Sequence, residues 1–286
     1  MEIKNVLVIG AGVMGRQIAL LAAMYGYSTV LYDAFADALE SAEDWNGNYL
    51  EGRIAKGKLT AEAATAAKGN LRYEKELPAA AEAADIAIEA IIEKLDVKQT
   101  LFRQLDELCK PDTLIVSNSS FITSSQLAGC TKRPGKIANL HFFNPALAMK
   151  LVEVVRGDET EEEVLELLLS FSESLGKKPI LIQRAIDGFV ANRLIRAVTE
   201  EALFLVQEGY VTPQEIDIAA ENGLNWPMGP YRLMDMTGID ISYLMRMRRY
   251  DESGDEKDKP PEFLAEKYRK GEYGRKTSKG WYDYSK

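Results

Sequence analysis

A short apolar run, Asn5 to Ile9, leads directly into Gly10-Ala11-Gly12-Val13-Met14-Gly15. A helical pattern follows at once, with Ile18, Leu21, Ala22 and Tyr25 on one face. This strand, three-glycine turn and helix constrain the chain more than any other feature. Gly10 permits a tight turn, Gly12 lets the backbone approach a pyrophosphate, and Gly15 lets helix and strand pack closely. The helix start offers free N–H groups and partial positive charge to phosphates, through Val13 and Met14. Glycines alone could serve only the turn. An acidic residue is expected about 20 positions further on, and Asp33 ends the second predicted strand, Ser28 to Tyr32. A carboxylate there accepts hydrogen bonds from an adenosine ribose diol and repels a 2′-phosphate. No Arg or Lys follows in Ala34-Phe35-Ala36, so NAD is preferred over NADP.

The alternation continues. A long helical stretch begins at Ala34, and Asp85 to Ile91 reads as strand. Val97 to Cys109 reads as helix and Thr113 to Val116 as strand. Lys136 to Phe143 and Lys150 to Val155 are further strands, separated by Asn144-Pro145. Thr160 to Leu175 reads as a helix with a capping box of Thr160 and Glu163, and Lys178 to Ile182 is the last strand. Repeated alternation predicts an α/β fold, a doubly wound (Rossmann-type), mostly parallel sheet. The pattern then stops. Phe189 to Glu208 reads as one long amphipathic helix, and further helices begin near Pro213, Tyr231 and Pro261. The charged segment Asp251 to Pro261 reads as an exposed loop. Two domains are therefore expected: a dinucleotide-binding domain over 1–186 and a smaller all-helical domain over 187–286.

Composition narrows the function classes. The 286 residues include 35 basic and 44 acidic side chains, a formal charge of −9. Such a chain is a poor non-specific binder of nucleic acid or anionic membrane, so neither partner is expected. The absence of a long apolar run argues against a membrane span, and no signal peptide is read at the N-terminus. Cys109 and Cys130 form no CxxC pattern and read as buried thiols of a reducing, cytoplasmic compartment. One histidine, His141, excludes a multi-histidine metal site, and no metal is expected.

His141 ends an apolar strand in Leu140-His141-Phe142-Phe143-Asn144-Pro145. Histidine is the residue type suited to take a hydroxyl proton as a general base. By itself a single histidine between apolar residues is more often a satisfied core residue. Glu153 lies in Leu151-Val152-Glu153-Val154-Val155, where a carboxylate among apolar neighbours is costly unless paired. Twelve positions upstream, across a strand–turn–strand, is the imidazole. A carboxylate on one ring nitrogen fixes the tautomer and stabilises the imidazolium. The alternative is an edge-strand glutamate facing water. Ser117-Asn118-Ser119-Ser120 follows the apolar run Leu114-Ile115-Val116. Hydroxyls beyond the carboxyl end of a strand reach bound ligands, although turns favour the same residues.

Several motifs in order across nearly the whole chain resemble the short-chain L-3-hydroxyacyl-CoA dehydrogenases, most closely the bacterial 3-hydroxybutyryl-CoA dehydrogenases. Beside the glycine loop these are Glu89-Ala90-Ile91-Ile92-Glu93 with Val97-Lys98, the serine motif ending at Ser120, and His141-Phe142-Phe143-Asn144-Pro145. Then come Lys150-Leu151-Val152-Glu153, Asp187-Gly188-Phe189-Val190-Ala191-Asn192-Arg193, Pro227-Met228-Gly229-Pro230, and Gly274-Arg275-Lys276 near Gly280-Trp281-Tyr282. The pairing of the His141 motif with the Glu153 motif is the specific part. The resemblance implies that His141 is the acid/base and that Glu153 orients it. It implies that Ser120 contacts substrate and nicotinamide, and that Asn192 holds the reacting-oxygen side of the substrate. Glu93, Lys98, Asn144 and Lys276 match cofactor-contacting positions, and Lys56 matches a CoA-contacting lysine. One departure is Phe121, where many relatives have a second serine. The resemblance also implies a homodimer built on the helical domain.

The expected activity is therefore hydride transfer between NAD and a short 3-hydroxyacyl-CoA, interconverting (S)-3-hydroxybutyryl-CoA and acetoacetyl-CoA. A CoA thioester is polyanionic, and residues 51–75 carry six bases against three acids. That local patch suits a CoA phosphate, or is simply a solvated helix face. Two alternatives stand beside this activity. One is a dehydrogenase of a free hydroxy or sugar acid. In such enzymes of the 6-phosphogluconate type a catalytic lysine stands near the start of the helical domain, whereas this chain has Ala191-Asn192-Arg193. The other is a dinucleotide-binding protein without turnover, which leaves the His141–Glu153 pair unexplained.

Overall fold

The computed structural model describes residues 2–285 and divides into two compact units, meeting in sequence at Val190 and Ala191. The first unit carries one eight-stranded sheet, among the described residues: β1 (Asn5–Ile9), β2 (Ser28–Tyr32), β3 (Leu71–Glu74), β4 (Ile86–Glu89), β5 (Leu114–Ser117), β6 (Ile137–Phe142), β7 (Leu151–Val155) and β8 (Lys178–Ile182). The strand order is β3-β2-β1-β4-β5-β6-β7-β8. Neighbours are parallel except β6 and β7, which are antiparallel. The order reverses direction between β1 and β4. In open sheets of this kind ligands bind at that switch point, beyond the carboxyl ends of the strands.

The central strands are buried and mostly apolar because both faces are covered, with polar side chains such as Glu89, Ser117, Asn139 and His141 as the exceptions. In β1, Val6 and Val8 enter one core with Ile18, Ala22, Ile88, Val116 and Leu168. Leu7 and Ile9 enter the other with Ala87, Phe102, Leu105 and Ile115. The covering helices are α1 (Val13–Met24), α2 (Ala36–Ala55), α3 (Ala61–Gly69), α4 (Leu77–Ala81), α5 (Leu95–Leu108), α6 (Ser124–Ala128) and α7 (Glu162–Ser174). The helical stretch expected from Ala34 is thus broken into two longer helices, the edge strand β3 and the short α4. β3 reads Leu71-Arg72-Tyr73-Glu74 and is only half-buried, too polar for an apolar-run signal.

The capping box expected at Thr160 and Glu163 does not form. α7 starts at Glu162, with Glu161 as its cap. The buried Thr160 hydroxyl instead donates to the Ile137 carbonyl at 2.5 Å and accepts the Gly157 N–H at 2.9 Å. A buried strand carbonyl needs a donor, and Thr160 supplies it.

The second unit contains α8 (Ala191–Gln207), α9 (Pro213–Gly223), α10 (Pro230–Thr237), α11 (Ile239–Ser253) and α12 (Glu262–Arg269). α8 begins two residues later than expected, because Phe189 adopts φ +49° and is fully buried in the first unit's share of the chain. α11 runs into the segment read as loop and stops at Gly254, which has φ +66°. Thr212 and Glu215 make a true capping box on α9. Ala202, Leu203, Tyr231, Met234, Ile239, Leu264 and Trp281 form the core.

Two buried carboxylates organise this core. Asp217 accepts the Tyr231 and Arg232 N–H groups at the start of α10, at 2.8 and 3.0 Å, and the Tyr282 hydroxyl at 2.7 Å. Asp235 accepts the Trp281 and Tyr282 N–H groups and the Tyr284 hydroxyl, pinning the C-terminal segment. Asp217→Ala leaves two helix N–H groups and a hydroxyl without their acceptor. We expect a loss of about 2–4 kcal/mol and a midpoint several degrees lower in thermal denaturation. An unchanged midpoint would contradict this capping role.

Candidate active site

The glycine loop shows why Gly10 and Gly15 carry no side chain. Gly10 has φ +102°, and a Cβ there would lie 2.7 Å from the Ala90 carbonyl oxygen. A Cβ on Gly15 would lie 1.7 Å from the Gly10 carbonyl oxygen. Gly12 differs, since a Cβ there would meet nothing within 4 Å. Its backbone therefore faces open space at the start of α1, where no side chain caps the helix. The exposed Val13 and half-buried Met14 follow in the first turn. Asp33 closes the loop, its two oxygens accepting the Ala11 N–H at 2.7 Å and the Phe35 N–H at 3.0 Å. An uncapped helix start, an open Gly12 face and a carboxylate with lone pairs to spare fit a dinucleotide.

His141 and Glu153 face each other directly in the β6–β7 register. His141 is 4% exposed and Glu153 0%. His141 Nδ1 lies 2.8 Å from Glu153 Oε2, and His141 Nε2 lies 2.9 Å from Ser120 Oγ. A carboxylate only accepts, so Nδ1 carries the hydrogen and Nε2 accepts from the Ser120 hydroxyl. The second Glu153 oxygen, Oε1, accepts the Val190 N–H at 3.0 Å. The rings of Phe143 and Phe189 lie 4.5 and 5.5 Å from the imidazole. Glu153 is no edge-strand glutamate: β8 covers β7 on its far side, and the carboxylate has hydrogen-bond donors in place of water.

The serine turn rests on a buried polar network. Lys98, 1% exposed, reaches Glu89 at 2.5 Å and Glu93 at 3.1 Å. Glu89 accepts the Ser117 hydroxyl at 2.6 Å, and Ser117 Oγ accepts the Ser119 N–H at 3.1 Å. Ser119 donates its hydroxyl to Glu93 and accepts the Phe121 and Ile122 N–H groups at 3.2 and 2.8 Å. Phe121 thus enters the turn through its backbone, which does not need a second serine. Asn118 Oδ1 accepts the Phe142 N–H at 2.9 Å, tying the turn to β6 beside His141.

The structure brings Ser120, His141 and Glu153 together, and links Glu93 and Lys98 to them through Ser119. Lys98 faces two carboxylates from a buried position. Asn144 stands exposed in the turn after β6, bonded to Gln17. Lys177, mostly buried, donates to the carbonyls of Ala146 and Met149 at 2.5 and 2.8 Å, holding the same turn. Burial lowers its ammonium's pKa. Lys56 is exposed at the end of α2. Asn192 and Lys276 belong to the second unit, Asn192 in the first turn of α8 and Lys276 2.6 Å from Asp240. Sequence reasoning missed Gln17 and Lys177, and placed Glu89, Ser117, Ser119 and Phe189 in motifs without the contacts they make. The argument applied to Glu153, a carboxylate in an apolar run, would have found Glu89. Burial pushes the Cys109 thiol up to about 11, so it is an unreactive thiol. Among the described residues no group of three His, Cys, Asp or Glu side chains is placed to hold a metal, and no helix is long and apolar enough to cross a membrane.

Two family patterns match the chain: "3-hydroxyacyl-CoA dehydrogenase, NAD binding domain" over residues 5–185, and "3-hydroxyacyl-CoA dehydrogenase, C-terminal domain" over 188–284. The chain belongs to the 3-hydroxyacyl-CoA dehydrogenase family. It is 39% identical over 284 residues to the 3-hydroxyadipyl-CoA dehydrogenase of Escherichia coli, covering 99% of this chain but only 59% of that one. It is 36% identical to a probable 3-hydroxybutyryl-CoA dehydrogenase of Bacillus subtilis, covering 99% of this chain and 98% of that protein. The crystal structure of (S)-3-hydroxybutyryl-CoA dehydrogenase from Ralstonia eutropha matches with a TM-score of 0.90 at 34% identity, over 100% of both chains. The first unit of this family member is its NAD-binding domain.

Burial alone would raise the Glu93 carboxyl. The Ser119 hydroxyl, the Lys98 ammonium and the Ile122 N–H outweigh it and hold the pKa below the ordinary value. A lowered folded pKa contributes stability above the unfolded value, about 4.3, that is lost as pH falls through the folded value. In urea denaturation, Glu93→Gln should therefore be less stable than the parent at pH 7, with the gap narrowing below about pH 4.3. A gap that is constant or widens on acidification would refute it.

Proposed function

We propose that the chain interconverts a short (S)-3-hydroxyacyl-CoA, with (S)-3-hydroxybutyryl-CoA and acetoacetyl-CoA as the reference pair. The observation that carries this reading is the Ser120–His141–Glu153 chain at the switch-point end of an NAD-binding sheet. Relatives named for hydroxybutyryl and hydroxyadipyl thioesters share the thioester and differ in the acyl group. The reading therefore rests on the shared part of the substrate.

Gly10, Gly12, Val13, Met14 and Gly15 hold the pyrophosphate on the start of α1, and Asp33 takes the adenosine ribose, which favours NAD over NADP. Glu93, Lys98, Asn144 and Lys276 serve the cofactor, Lys98 by fixing Glu93. When bound, NAD accepts a hydride in alcohol oxidation, and NADH donates one in ketone reduction. His141 Nε2 takes the hydroxyl proton in oxidation and returns it in reduction. That nitrogen is the atom the Ser120 hydroxyl already meets, so Ser120 aligns the substrate oxygen with the base. Glu153 stabilises the imidazolium as it forms, among the low-dielectric rings of Phe143 and Phe189. Asn192 holds the oxygen side of the substrate, and Lys56 with its basic neighbours meets a CoA phosphate.

The helical unit, from Ala191, serves dimerisation and substrate binding. Leu194, Ile218, Leu224, Ile241 and Leu244 are more than half exposed there, which supports a homodimer. The free thiols and the lack of a membrane-spanning helix among the described residues agree with a cytoplasmic enzyme.

NADH oxidation should proceed with acetoacetyl-CoA and not with free acetoacetate. His141→Ala should lose at least about 100-fold in kcat with NADH binding retained. Turnover of the free acid would return the hydroxy-acid alternative. NADH binding without any turnover would return the non-catalytic one.

A further inference from the structure

Gln17 lies in the second turn of α1, 3% exposed, and its amide nitrogen donates twice. Nε2 is 2.9 Å from the Val13 carbonyl oxygen and 3.3 Å from Asn144 Oδ1. Its Oε1 is buried and has no hydrogen-bond partner among the described residues. The Val13 carbonyl can only accept, so the nitrogen of the Gln17 amide must lie on that side. That same nitrogen meets Asn144, which must answer with its oxygen. The Asn144 NH2 is then turned the other way, on an exposed turn three residues past His141.

We infer that Gln17 is a positioning residue that sets the polarity of Asn144, so that a donor and not an acceptor faces the nicotinamide end of the bound dinucleotide. The inference rests on the proposed NAD reading. Lys177 already fixes the backbone of the turn through the Ala146 and Met149 carbonyls. What remains free is the Asn144 amide rotation, and Gln17 decides it. The buried, unpaired Oε1 makes Gln17 less stabilising than a methionine of similar volume would be. Packing therefore does not account for an amide here, and the contact to Asn144 does. The contact also joins the helix that receives the pyrophosphate to the turn that follows the base. Both ends of the cofactor then share one rigid reference.

The test compares NADH with ADP-ribose, which lacks the nicotinamide. Binding of each is measured by titration calorimetry on the full chain, for the parent, Gln17→Met, Gln17→Glu and Asn144→Ala. Met keeps the volume and removes the unpaired oxygen, so that variant folds. Gln17→Met should weaken NADH about 5- to 10-fold and leave ADP-ribose within about twofold, the signature of one lost hydrogen bond at the nicotinamide end. Gln17→Glu, which puts an acceptor towards Asn144, should weaken NADH at least as much. Adding Gln17→Met to Asn144→Ala should cost nothing further, because both act through one contact. Parental NADH affinity in Gln17→Met, equal weakening of NADH and ADP-ribose, or additive losses would each overturn the inference. A parent chain that binds neither ligand would instead overturn the NAD reading beneath it.

Discussion

β6 and β7 pair antiparallel in an otherwise parallel sheet, and their register sets Glu153 opposite His141. Side chains alternate along a strand, so a slip of one residue would send Glu153 to the other face. Both partners are buried, and an isolated carboxylate there would be strongly unfavourable. The imidazole N–H and the Val190 N–H satisfy it. Val190 follows Phe189, whose left-handed backbone and buried ring bring the chain back against the imidazole. Strand register, buried charge and chain path at the end of the first unit are therefore one problem with one solution.

The remaining buried polar groups hold one another and, through that network, the turns around them. Lys98, Glu89 and Glu93 fix the turn that carries Ser120, and Asn118 ties that turn to β6. Lys177 fixes the turn between the two antiparallel strands. The loops after β4, β5 and β6 each have a buried side chain, Glu89, Ser117 and Lys177, bonded to their backbone. The Ser120 hydroxyl and the imidazole are thus aligned before any ligand arrives, the kind of preorganisation from which sites gain rate.

The alternation of apolar runs and helical faces made the doubly wound sheet legible, because strands buried on both faces carry continuous apolar sequence. The same signal missed β3, a half-buried edge strand containing Arg72 and Glu74. His141 and Glu153 were legible as a pair because both interrupt apolar strands. Glu89 interrupts one too, but its partner Lys98 sits on a helix whose polar positions look like ordinary surface. Thr160 was misread because its hydroxyl serves a carbonyl on β6, a demand invisible to local sequence. Phe189 looked like the first residue of a helix because its ring's destination, beside His141, lies 48 positions upstream in the chain.

The chain has one histidine, so 15N NMR of histidine-labelled protein reads this site without assignment. A base oriented by Glu153 must hold its neutral-state proton on Nδ1, towards that carboxylate, leaving the Nε2 lone pair for a hydroxyl proton. The predicted spectrum has a protonated Nδ1 and an unprotonated Nε2, and Glu153→Gln should disturb that preference. A neutral imidazole with its proton on Nε2, or a tautomer indifferent to Glu153→Gln, would contradict the assignment of His141 as a base oriented by its cross-strand carboxylate.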